Sequence, residues 1–322
     1  MPDGALIMKQ TRKQALMSSQ FDVMVTSVCN ARCAFCVQEA TFKPPCGKDA
    51  KFLDALRDSF GWFYTNGGRR VVITGGESLL EFPRVKAVLA ELKQYKDLQV
   101  KALYTNGSLL LRRLSKGARI TAAETLAKAG LGCVNLSVHH YDNDINNAML
   151  GLPGKPRTED IVKHLEACGL PFRLNLTLQR GGISTAGDLI NYVKWGVKLG
   201  AKDIYVRELF RFARDINWAV ADRDAVAYSN KNHVLVPPMQ RLLEQHGFSL
   251  LSEQREFLRD KTEWAFTHSP SGMRVYLSSL EIGSESPKGW PYLVLMPDAV
   301  LYNGWLGSKC KVTRAMMASV AS

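Results

Sequence analysis

Between residues 21 and 208, short β-branched apolar runs alternate with longer amphipathic ones, and this alternation leaves few folds open. The runs that read as strands are Phe21–Val28, Arg70–Thr74, Gln99–Tyr104, Cys133–Val138, Arg173–Leu178 and Asp203–Glu208. Helices are predicted between them, near residues 49–64, 82–96, 121–130, 158–168 and 185–199. Thr121 ahead of Glu124, Thr158 ahead of Glu159 and Asp160, and the run Ser184 to Asp188 supply helix starts. Gly130, Gly169 and Gly200 supply stops. Six strand–helix repeats predict an α/β fold, a partial (β/α)6 TIM-like barrel, two repeats short of a closed one. In such folds the active site lies at the carboxyl ends of the strands.

The pattern breaks after Phe210. Residues 1–17 read as an N-terminal extension, 18–210 as the barrel and 211–322 as a C-terminal α+β extension. Within the last, 211–270 read as mixed helix and loop, and 273–281 and 291–305 as strands. Pro297-Asp298 marks a hairpin turn between Tyr292–Met296 and Val300–Tyr302. This part is expected to cover the barrel mouth or its open side.

Of 322 residues, 46% are hydrophobic and 22% charged, an ordinary globular composition. No apolar run reaches about 18 residues, so no membrane-spanning helix is expected. Lys9, Arg12 and Lys13 lie near the start without an apolar stretch, so no signal peptide is expected. Seven cysteines without a regular framework point to a reducing compartment, most simply the cytoplasm. The net charge of +12 suits an anionic substrate and equally a solvated basic surface. No nucleic-acid-binding module is recognisable.

Three of the cysteines, Cys29, Cys33 and Cys36, fall within eight residues, directly after the first predicted strand. Three thiolates on one loop can hold three corners of a 4Fe–4S cluster and leave the fourth iron open. A structural zinc site ordinarily takes four ligands in two short pairs, and neither a second pair nor a nearby histidine follows. Downstream, Thr74-Gly75-Gly76-Glu77 closes the second strand and Tyr104-Thr-Asn-Gly107 follows the third. The order of these motifs, their separation and the βα repeats resemble the radical S-adenosylmethionine (radical SAM) superfamily over residues 18–210. Phe35, an aromatic just before the third cysteine, belongs to the same pattern. Tyr104 to Gly107 looks most like the branch containing the molybdenum-cofactor cyclase and its small-molecule relatives.

The resemblance implies a 4Fe–4S cluster on Cys29, Cys33 and Cys36, and SAM bound to its open iron. It implies reductive cleavage of SAM to a 5′-deoxyadenosyl radical, with a reducing partner such as flavodoxin or ferredoxin. Gly75 and Gly76 would let backbone approach the methionine end of SAM, and Glu77 would add a carboxylate there or hold the turn in shape. Alternation along strand four puts Asn135, Ser137 and His139 on one face. The family binds SAM at the end of this strand, so Ser137 is the expected contact. His139 and His140 face substrate or serve the core. Tyr141 to Asn147 reads as a substrate loop or as Asx-rich turns. Asn175 on strand five is a further SAM candidate. Arg207 would pair with the SAM carboxylate or, alternatively, with Glu208. Cys46 and Cys310 are candidates for returning a hydrogen atom to substrate.

The tail holds one cysteine, Cys310, so by itself it cannot ligate a further cluster. The expected substrate is a small polar or anionic molecule: a sugar, nucleotide or amino-acid-derived metabolite. Alternatives are a ribosomal peptide or tRNA, and, in another class, a non-catalytic zinc or cluster-sensing module. The last leaves Gly75-Gly76-Glu77 unexplained.

Overall fold

A computed structural model describes residues 20–36, 44–113, 120–209, 211–212, 223–256, 261–268, 270–282, 293–304 and 311–321. The first six strands appear where the apolar runs predict them: β1 (Phe21–Met24), β2 (Arg70–Thr74), β3 (Val100–Thr105), β4 (Cys133–Ser137), β5 (Phe172–Leu178) and β6 (Asp203–Glu208). They pair in sequence order, all parallel. The helices between them are α1 (Asp49–Thr65), α2 (Phe82–Glu91), α3 (Ala122–Lys128), α4 (Asn143–Leu150), α5 (Thr158–Ala167) and α6 (Ala186–Lys198). Thr121 and Thr185 each close a capping box, with Glu124 and Asp188. Gly130, Gly169 and Gly200 follow their helices at positive φ, 80°, 63° and 77°.

Three local readings are corrected. Strand one ends at Met24 rather than Val28, because Thr26 and Val28 turn their carbonyls to a neighbouring loop. Thr158 is not a cap: it is the first residue of α5, and its N–H donates to Asn143 Oδ1 at 2.8 Å. The Asn-rich stretch after strand four is a helix, α4, started by Asp142 Oδ1, which accepts from Asp144 N at 2.9 Å and Ile145 N at 3.1 Å.

The C-terminal part holds β7 (Arg211–Phe212), α7 (Arg223–Asn232), α8 (Pro237–Gln245), β8 (Phe248–Glu256), β9 (Lys261–His268), β10 (Met273–Ile282), β11 (Leu293–Leu295), β12 (Leu301–Tyr302) and α9 (Arg314–Ala321). Residues 211–270 are therefore not only helix and loop; β8 and β9 lie there. The hairpin about Pro297-Asp298 is present, with β11 antiparallel to β12. The strands of this part extend the sheet at its two open sides. β10 runs parallel beside β6, from Arg274 opposite Asp203 to Ser278 opposite Arg207. β11 runs parallel beside β1 on the far side. The order is β12-β11-β1-β2-β3-β4-β5-β6-β10-β9-β8, an open sheet, with β7 paired to β10. Parallel strands run unbroken from β11 to β10. The C-terminal part thus adds one parallel strand on each side of the six.

Alternation gives the sheet two different faces. Val23, Ile73, Leu103, Leu136, Leu174 and Val206 face the helices in one buried core, which also takes in Val275 and Leu277 of β10. Tyr104, Asn135, Arg173, Asn175, Tyr205 and Arg207 lie on the other face, in register across β3 to β6. Because β10 shares the core, Leu277→Ala is expected to cost about 2–5 kcal/mol. Urea denaturation followed by two probes should show one shifted transition; a second, unshifted transition would mark the C-terminal part as separate.

Candidate active site at the strand ends

Beyond Met24 the chain leaves the sheet but stays tied to the loop after β2. Thr26 O accepts from Gly76 N and Val28 O from Glu77 N, both at 2.9 Å. The approach is too close for side chains on the glycines. A Cβ at Gly75, where φ is +146°, would lie 2.5 Å from Thr26 O, and one at Gly76 would lie 2.1 Å from Val28 O. The two glycines therefore press the second loop against the start of the cysteine loop.

Glu77 fixes this arrangement from within. Its side chain is fully buried. Oε1 accepts from Thr105 Oγ1 at 2.7 Å and from Leu79 N at 3.1 Å, and Oε2 from Asn106 N at 2.8 Å. Burial pushes its pKa up, while the bonds from Asn106, Thr105 and Leu79 pull the other way. Of the two roles read from the sequence, this geometry matches holding the turn: both carboxylate oxygens face protein donors. The loop after β3 returns to the cysteine loop through Asn106 Nδ2, which donates to Asn30 Oδ1 at 2.9 Å. Asn30 Nδ2 in turn donates to Ser108 Oγ at 3.0 Å.

Cys29, Cys33 and Cys36 are half-buried and in no disulfide. Ala31 N donates to Cys29 Sγ at 3.3 Å, and Cys36 N to Cys33 O at 3.1 Å. Among the described residues no three His, Cys, Asp or Glu side chains converge on a single metal ion. A cubane asks for something else, since each cysteine binds a different iron.

Phe35 packs edge-on against His139, ring centroids 4.7 Å apart. His139 is buried, and its Nδ1 accepts from Thr177 N at 3.2 Å. Burial holds its pKa down at about 3, so the ring stays neutral. It serves here as a packing and hydrogen-bonding group. His140 Nδ1 accepts from Asp142 N at 2.9 Å. Ser137 stands opposite Asn175 across β4 and β5. Asn175 is buried, yet neither its Oδ1 nor its Nδ2 has a partner. Arg207 donates through Nη2 to Tyr104 OH across the inner face. It does not pair with Glu208, which turns to the helices and accepts from Val236 N at 2.6 Å. Cys46 is exposed, its Sγ 4.0 Å from Thr26 Oγ1. Cys310 lies outside the described residues. Cys133 is buried low on β4, its thiol pushed up to about 11 by burial.

Two cations escape a reading from sequence. Arg84 of α2 is buried and donates to Asp49 Oδ1 at 2.7 Å, Val25 O at 3.0 Å and Gly47 O at 2.7 Å. Lys155, between α4 and α5, is also buried. On a helix or in a loop either residue reads as solvent-facing, and no spacing marks it.

If the glycines and Glu77 shape the cysteine loop, changing either should reach the metal. Gly76→Ala is expected to lower bound iron and sulfide several-fold after reconstitution while far-ultraviolet circular dichroism stays near wild type. Glu77→Gln places an NH2 against N–H donors and should cost about 2–3 kcal/mol in denaturant unfolding. Wild-type iron and stability in both variants would remove the loops' dependence on this turn.

Comparison with known proteins agrees with this geometry. The Radical SAM superfamily matches residues 23–181. The probable GTP 3′,8-cyclase of Sulfurisphaera tokodaii is 28% identical over 58% of this chain and 55% of its own length. The GTP 3′,8-cyclase of Acidothermus cellulolyticus is 32% identical over 49% of this chain and 43% of its own. The chain thus spans about half the length of these curated relatives. Molybdenum cofactor biosynthesis protein 1 of Bos taurus is 27% identical over 51% of this chain and 24% of its own. Among solved structures, Streptococcus suis SuiB bound to precursor peptide SuiA superposes with a TM-score of 0.52 at 15% identity, covering 90% of this chain and 60% of that one. SuiB bound to S-adenosylmethionine gives 0.51 at 16% identity, over 72% of this chain and 47% of that one. At these identities the two structures speak for the fold alone. By the cysteine and Gly-Gly-Glu motifs, the parallel sheet and the family match, residues 23–181 of this chain are a radical SAM superfamily domain.

Proposed function

We propose that this chain is a radical SAM enzyme acting on a small polar or anionic metabolite. Cys29, Cys33 and Cys36 would hold one 4Fe–4S cluster, and SAM would lie over the inner face of the sheet. The cluster and SAM together supply a carbon-centred 5′-deoxyadenosyl radical that takes a hydrogen atom from substrate. One observation carries the reading. Three loops, Cys29–Cys36, Gly75–Glu77 and Tyr104–Gly107, are locked together around Glu77 at the carboxyl ends of β1, β2 and β3. The buried amide of Asn175, partnerless on both atoms, fits a polar ligand at the same end of the sheet. The three thiols, half-exposed on one loop, suit a cluster with an open iron.

The remaining roles follow from position. Phe35, braced by His139, would shield one side of the cluster from water. Ser137 and Asn175 would donate to SAM and accept from it. Arg207, oriented by Tyr104, would face an anionic group on the inner wall. Cys46, beside Thr26, is the described cysteine outside the cluster set that lies nearest the strand ends, so hydrogen return to substrate is assigned to it as a hypothesis. An electron donor such as flavodoxin or ferredoxin would complete the system.

A ribosomal peptide is the second reading, and one observation favours it. β8 ends the sheet among the described strands, and its Leu250 and Leu251 are 47% and 57% exposed, an edge on which an extended chain can pair.

The test is anaerobic reconstitution followed by dithionite and SAM, with 5′-deoxyadenosine as the readout. The wild-type chain is expected to bind iron and sulfide and to form 5′-deoxyadenosine; replacing Cys29, Cys33 and Cys36 together with Ala should abolish both. Deuterium passing into 5′-deoxyadenosine from a labelled small molecule, rather than from a labelled peptide, would separate the two substrate readings. Zinc bound in place of iron would refute the proposal.

A further inference from the structure

The roles proposed above make no use of Lys155, and its surroundings are unusual. The residue is 7% exposed, and its Nζ has no hydrogen-bond partner. No carboxylate forms an ion pair with it among the described residues. An ammonium taken out of water is costly unless an anion joins it. A lysine at rest would normally extend its head to solvent.

The backbone that carries it is also held in place. Lys155 N donates to Leu152 O at 3.2 Å, and Lys155 O accepts from Asn147 Nδ2 at 3.3 Å. Its Cε would stand 3.8 Å from a Cβ at Gly107, so the stem lies along the loop after β3. The turn that carries it is bonded to the cysteine loop, since Arg32 N donates to Leu150 O at 2.9 Å. That turn passes Gly151 at φ +61°, where a Cβ would lie 3.0 Å from Arg32 Cβ. Three further polar atoms of the segment, Asn146 Nδ2, Asn147 Oδ1 and Thr158 Oγ1, are buried without partners. The charge is felt at His139, at the end of β4. Burial lowers the Lys155 pKa to about 8, so the ammonium still predominates at neutral pH.

We infer that Lys155 is the counter-charge for a compact oxyanion, a carboxylate or phosphate group of a ligand bound at the strand ends beside the cysteine loop. This rests on the reading of those ends as a SAM site. The oxyanion has two sources: the carboxylate of SAM, or an anionic group of the substrate.

The experiment measures binding of SAM, decarboxylated SAM and inorganic phosphate by calorimetry to the anaerobically reconstituted protein, as wild type, Lys155→Met and Lys155→Arg. Without ligand, Lys155→Met should melt at or above the wild-type temperature, because it removes an unpaired buried charge. It should lose roughly 10- to 100-fold in affinity for one oxyanion, and Lys155→Arg should recover part of that. Loss for SAM with decarboxylated SAM unaffected assigns the site to the SAM carboxylate. Loss for phosphate with SAM unaffected assigns it to the substrate. Unchanged affinities for all three probes, equal losses for SAM and decarboxylated SAM, or a clear fall in melting temperature would overturn the inference. If wild type binds iron but not SAM, the SAM-site reading has failed; the phosphate arm still tests Lys155, and wild type binding neither probe overturns this inference too.

Discussion

The buried carboxylate of Glu77 is the point on which the site depends. It is the one side chain that accepts from its own turn and from the loop after β3, through Leu79, Thr105 and Asn106. A carboxylate out of water is tolerated only when its lone pairs are met, and here three donors meet them. The next residue back, Gly76, is pressed against Val28 and Cys29. Position at the cysteine loop is therefore transmitted from β3 through Glu77 and the glycine backbone, by hydrogen bonds rather than by apolar packing. Apolar contacts adjust to small shifts, whereas a bonded carboxylate fixes distance and direction.

The sheet supplies the rest of the frame. Its helix-facing side is apolar from β1 to β6 and in β10 apart from Glu208 at the end of β6, and this is where the stability of the fold resides. Its inner face carries Arg173, Asn175, Tyr205 and Arg207, none of which a core would require. Low on that face, Asp203 is bonded by Arg173 at 3.2 Å and by Arg274 at 2.7 Å, which joins β5, β6 and β10. On the same face the buried amide of Asn175 has no partner on either atom, and a polar ligand would complete it.

Much of this was legible in the sequence. Strands buried on both faces or alternating cleanly leave a strong signal, and β2 to β6 lie where the apolar runs are. The cysteine loop and Thr74-Gly-Gly-Glu77 were visible for the same reason: their spacing has few structural explanations. What escaped reading had contrary local chemistry. β8, Phe248–Glu256, carries four charged or amide groups near its end and resembles a solvated loop. α4, Asn143–Leu150, opens with poor helix formers, and only the cap at Asp142 reveals it. The placement of β10 and β11 on opposite sides of the first six strands is a property of long-range pairing, which no local pattern encodes. Arg84 and Lys155 look like surface cations until the fold buries them. Arg207 was found, yet its partner, Tyr104, lies three strands away and could not be named in advance.

The central claim is that three cysteines on the loop after β1 leave one iron of a cluster open to SAM. Electron paramagnetic resonance of the dithionite-reduced, reconstituted protein tests it most directly, with SAM carrying a nitrogen-15 amino group. The expected result is a reduced 4Fe–4S signal whose g values move on adding SAM, with a nitrogen-15 coupling showing the amino group on iron. A signal of the same kind that SAM leaves unchanged, with no such coupling, would mean that the cluster only carries electrons and that the site has been misread.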